Sequence, residues 1–62
     1  MKVGDIVIMD YEKMIAQPKD EWGVGVIVET DDRWPDDVAV LWSRLSAVSW
    51  ELKFLLEVIN AN

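Results

Sequence analysis

The chain has 62 residues, with twelve acids against six bases for a formal net charge of −6, and it contains no cysteine and no histidine. That composition excludes a disulfide framework, a zinc site of the usual kind and any imidazole chemistry, and the acidic excess opposes binding to phosphate backbones. A single domain spanning 1–62 is expected; at this size it buries roughly 60% of the surface its unfolded chain exposes, so the four tryptophans, each able to bury about 200 Å², are the main source of extra core.

In chain order, Val3 to Met9 is a β-branched run that predicts a first strand, with Gly4-Asp5 as a tight turn before it. The polar stretch from Asp10 to Asp20 reads as a long loop. From Trp22 to Glu29, valines at 24, 26 and 28 occupy one face and Gly23 and Gly25 the other, the pattern of a bent strand that something approaches closely. Asp31 to Asp37 is a turn, and Val38 to Trp42 a third strand with Val38, Val40 and Trp42 on one face, pairing antiparallel with the second. Val26, Val40 and Trp42 are expected to face the interior, with Trp22, Trp42 and Trp50 supplying much of the core.

The last third admits two readings. Val48, Leu52, Leu55, Leu56 and Ile59 recur at helical spacing, with Ser46 or Ser49 available as an N-cap, which permits a helix over 47–59. Against it, Ala47-Val48-Ser49-Trp50 opens with β-branched and aromatic residues that lose rotamer freedom in a helix. The preferred reading is a fourth strand near 46–51, one turn of 3-10 helix near 52–55 and a fifth strand near 56–59.

Lys2-Val3-Gly4-Asp5-Ile6-Val7, Gly23-Val24-Gly25-Val26-Ile27-Val28-Glu29, Val38-Ala39-Val40-Leu41-Trp42, and Ser49-Trp50 with Leu56-Glu57-Val58-Ile59 together resemble SH3-like small β-barrels. The nearest in pattern are mind-bomb-type and KOW/Tudor-like barrels and small barrel proteins of marine bacteriophages. The resemblance implies an all-β, SH3-like five-stranded barrel with one short 3-10 turn near the C-terminus. Mind-bomb-type chains follow the strand-ending tryptophan with Asp or Asn and Gly, whereas here Trp42 precedes Ser43-Arg44-Leu45, so no partner specificity carries over.

Ser43, Ser46 and Ser49 have no histidine to activate them. The pairs Asp31/Asp32 and Asp36/Asp37 fall in a turn and lack the alternating-oxygen spacing of an EF-hand loop. No enzyme activity, metal or cofactor is expected. Lys2, Lys13, Lys19, Arg33, Arg44 and Lys53 stand singly and form no basic tract, so direct nucleic-acid binding is not expected either. No apolar run approaches the roughly 18 residues of a membrane span; the expectation is a soluble cytoplasmic protein, in the host cytoplasm if phage-encoded.

Trp34 stands between Arg33 and Pro35 amid four aspartates, where no strand pattern accounts for an indole. In Tudor-like barrels, loop aromatics and neighbouring carboxylates cage a methylated lysine or arginine by cation–π attraction, and the resemblance implies such a set in Tyr11, Trp22, Trp34, Asp32 and Asp36, at one end of the barrel. The structural alternative has Trp34 folded over the rim as a lid, Trp22 packed beneath the first loop and Tyr11 over a bare glycine face. The expected function is a small acidic module that binds a protein or basic peptide through these groups, with homodimerisation as an option. Two alternatives are an acidic inhibitor or nucleic-acid mimic, with carboxylates in place of phosphates, and an assembly subunit that associates through β-edges.

Overall fold

Each apolar run is extended in the structure, a computed structural model that describes residues 1–10 and 22–60. The elements are β1 (Ile6–Met9), β2 (Gly25–Thr30), β3 (Asp37–Trp42), β4 (Val48–Leu52), a 3-10 turn (Lys53–Leu55) and β5 (Leu56–Val58). All pairings are antiparallel, in one open sheet of order β4-β3-β2-β1-β5. The fold is all-β, and the helix over 47–59 is absent because five residues of that stretch pair with β3 instead. Among the described residues no helix is long and apolar enough to cross a membrane.

The turn before β1 forms at Gly4, whose φ of 98° suits glycine. The Asp5 amide donates to the Lys2 carbonyl at 3.0 Å, and the buried Asp5 carboxylate accepts the Lys2 backbone N–H at 3.0 Å and its ammonium at 3.4 Å. These bonds, the backbone one foremost, hold the carboxyl below its ordinary range against the opposing effect of burial.

Val7, Met9, Ile27, Val38, Val40, Trp42 and Leu56 make the core, with Trp22 and Leu55 packed against it. Val38, Val40 and Trp42 share the inner face of β3 as the alternation predicts. On β2 the phase is the reverse of the expectation for Val26: Gly25 and Ile27 are buried, while Val26 is half-exposed. The cause is Trp42, which pairs directly with Gly25; a Cβ on Gly25 would run into Val40 Cγ1 and lie 2.9 Å from Trp42 Cε3. The glycine therefore faces inward to admit the indole. The bend expected of this strand is a register shift between Ile27 and Glu29, a β-bulge that increases local twist.

Trp50 also departs from expectation, since it is not core. Direct pairing of Val40 with Ser49 and Val38 with Glu51 puts the polar residues of β4 on the inner face, half-buried, and turns Val48, Trp50 and Leu52 outward, where all three are exposed. The buried Trp42 indole N–H donates to Ser49 Oγ at 2.9 Å, and the Ser49 hydroxyl donates to Glu51 at 2.8 Å. A serine facing inward here satisfies a tryptophan that would otherwise bury an unpaired donor.

Candidate functional site

The segment between β2 and β3 is fastened by its own acids. Asp31 accepts the Arg33 backbone N–H at 2.9 Å and takes the guanidinium as a fork, Nε at 3.1 Å and Nη2 at 2.8 Å. The side-chain pairing, then the backbone bond, pulls the Asp31 carboxyl below its ordinary range, and the same pairing raises Arg33. The Trp34 amide donates to the Asp31 carbonyl at 2.9 Å and the Asp37 amide to the Trp34 carbonyl at 3.0 Å. Two successive turns thus hold the Trp34 backbone while its indole stays 61% exposed; the lid arrangement is not what the structure has.

Trp34 shares an open concavity of about 350 Å³ with Asp31, Asp37 and Trp50. β3 supplies Asp37 at its first position, and β4 supplies Trp50, 47% exposed on the outward face. Trp50 pairs with Ala39, whose single methyl leaves the adjacent outer face low. Asp31 is neutralised by Arg33, whereas the Asp37 carboxylate has no hydrogen bond or ion pair among the described residues. The result is two indole surfaces and one uncompensated negative charge, a combination that favours a cation on an apolar stem, arginine or lysine in character. An adjoining hollow of about 210 Å³ shares Asp31, Trp34 and Asp37 and adds Asp32 and Lys53 among its walls.

Of the residues singled out from sequence, Trp34 lines both hollows and Asp32 the second. Asp36 is exposed and its carbonyl accepts the Lys53 amide at 2.8 Å. Trp22 is half-buried, its ring 5.5 Å from that of Trp42 at a 56° tilt. It precedes β2 while Trp34 follows it, so the length of that strand lies between the two indoles. Tyr11 lies outside the described residues. Asp31 and Asp37, acids of the same turn, line the first hollow. Trp50 was missed; the alternation of Val48, Trp50 and Leu52 was visible, but not which way it faced.

The chain matches no protein-family model, no curated protein and no solved structure.

Proposed function

We propose that the chain is an SH3-like small barrel that binds a protein or basic peptide without catalysing a reaction, taking a cationic side chain of the partner between Trp34 and Trp50. The strand order β4-β3-β2-β1-β5 and the 3-10 turn before the last strand support the fold reading. The function rests on one observation, two exposed indoles converging on a concavity with the Asp37 carboxylate, which has no ion pair among the described residues. Each indole contributes roughly 0.5–2 kcal/mol to a cation, depending on how far it is desolvated, so an isolated amino acid should bind only in the millimolar range. Asp32 and Asp36 add to the attracting field within a Debye length of about 10 Å.

NMR titration with Nα-acetylarginine amide and Nα-acetyltrimethyllysine amide tests this. The indole N–H signals of Trp34 and Trp50 should shift, and those of Nα-acetylglutamine amide titrations should not. Trp34→Ala should abolish the response while changing stability by less than about 1 kcal/mol, as expected of an exposed side chain. Absence of an indole response to either cation would defeat the reading.

A further inference from the structure

We infer that β4 is a docking edge for an extended segment of a protein partner, one with apolar residues at alternate positions and a lysine or arginine among them. The cationic part of this inference rests on the reading above; the strand pairing does not.

The backbone of β4 sets the geometry. The Trp42 amide donates to the Ala47 carbonyl at 3.4 Å and the Lys53 amide to the Asp36 carbonyl at 2.8 Å. With the antiparallel register between them, these bonds give residues 47, 49, 51 and 53 the groups that face β3. Val48, Trp50 and Leu52 therefore direct both N–H and C=O away from the sheet, and β4 is terminal in the strand order. None of the three has an outward backbone bond among the described residues.

Among the described residues this edge has few of the usual guards. Its sequence Val48-Ser49-Trp50-Glu51-Leu52 has no proline, glycine or lysine, its pairing with β3 runs five residues without a bulge, and its one charge, Glu51, faces the inner side and accepts from Ser49. Of the devices by which edge strands discourage pairing, proline, an outward charge and a bulge are therefore absent from β4, and the inward-pointing Glu51 is the one present, its carboxylate held by Ser49. The residues with free backbone groups also present the apolar face, Val48 being 53% and Leu52 49% exposed. That face continues across the sheet, since Ile6 pairs with Val26, Val26 with Leu41 and Leu41 with Val48, and an apolar hollow of about 190 Å³ lies along Ile6, Val26 and Leu41.

Charge selects the occupant. A second copy would bring together two chains of net charge −6, whereas a cationic strand neutralises the field. In an added antiparallel strand, the residue opposite Trp50 lies on the same outward face about 5 Å away. A lysine or arginine stem from there can cross the indole and set its charge at Asp37.

The probe is a blocked heptapeptide with valine at alternate positions, threonine between them and arginine replacing the central valine. By NMR titration it should bind at least about tenfold more tightly than Nα-acetylarginine amide, since each added backbone bond and buried valine contributes a factor of several. The arginine and the valines would donate to β4, so N-methylation at those positions should weaken binding about tenfold or more, and N-methylation of the threonines should leave it nearly unchanged. Val48→Pro removes an outward donor without breaking a bond to β3 and should weaken the peptide but not acetylarginine amide.

A peptide no tighter than acetylarginine amide, or insensitive to which positions are methylated, would overturn the docking edge and leave the cation site standing. Methylation-dependent binding that survives Trp34→Ala would retain the edge and remove the cation site. A parent chain that sediments as a dimer and returns to monomer on Val48→Pro would give the edge to a second copy and overturn the proposal.

Discussion

Replacing Ser49 by alanine tests the phase on which the outward face of β4 depends. Trp42 is fully buried, and its one polar group donates to Ser49 Oγ at 2.9 Å. Alanine removes the acceptor and strands an indole N–H in the interior, a loss of about 1–3 kcal/mol. Ser49 is half-buried, so water reaches part of the vacated space and the lower range of about 1–2 kcal/mol applies. A chain of 62 residues has a total stability of roughly 3–9 kcal/mol, and a domain of this size loses about 4–8 °C of melting temperature per kcal/mol. Urea unfolding followed by far-UV circular dichroism should show the midpoint falling by about 1–2 M, for a slope near 1 kcal/mol/M.

The control is Trp42→Phe, which keeps an aromatic ring and drops the donor. In that background Ser49→Ala should cost about 1 kcal/mol less than it does alone, the signature of a direct pair. A Ser49→Ala variant within about 0.3 kcal/mol of the parent would mean that the serine does not face Trp42. The phase of β4 would then be opposite, with Val48, Trp50 and Leu52 inside.

Two further outcomes follow from the geometry of the core and the first turn. Gly25→Ala should destabilise by about 1–3 kcal/mol through overpacking, because the new methyl meets Val40 and Trp42, although propensity favours alanine over glycine in a strand; a higher urea midpoint would show space beside the indole. The Asp5 carboxyl should titrate below its ordinary value of 3.8 by carbonyl-detected NMR. Its folded value lies below its unfolded value, so it stabilises the fold above about pH 4 and loses that contribution as pH falls through the folded value. Asp5→Asn should flatten this acid limb of the stability profile, and an Asp5 that titrates at or above 4 would refute the assignment.

The fold was legible wherever one strand face carried all the bulk. Val38, Val40 and Trp42 mark β3 plainly, and Lys53–Leu55 forms the 3-10 turn expected between the last strands. The second strand misled because three valines outweigh two glycines and one isoleucine in any count of apolar residues, while the deciding interaction is between strands: the indole of Trp42 needs the empty position at Gly25 directly opposite. The fourth strand shows the same limit. Its period of two is plain, but its phase depends on the loop from Ser43 to Ser46, where Trp42 O accepts the Leu45 and Ser46 amides and Ser46 adopts φ of 54°. Trp34 could be found because no periodicity absorbed it. Trp50 could not, because periodicity absorbed it into the wrong face.

That phase runs against the usual economy of a small domain. Shifting the β3–β4 register by one residue would turn Val48, Trp50 and Leu52 inward and expose Ser49 and Glu51, burying more apolar area in a protein short of core. The buried indole of Trp42 opposes it. Trp42 fills the space opposite Gly25 against Val40, and the shifted register would deprive its buried N–H of the Ser49 acceptor. The large residue that stabilises the core therefore favours a fourth strand that carries its apolar side chains outside, on an edge whose backbone groups have no partner among the described residues. An unpaired edge of this kind is a template on which another strand can pair. On the docking-edge proposal, the net charge of −6 should have two consequences from one cause: it should oppose pairing between copies of the chain and favour a strand of opposite charge, and sedimentation at low and high salt checks the first.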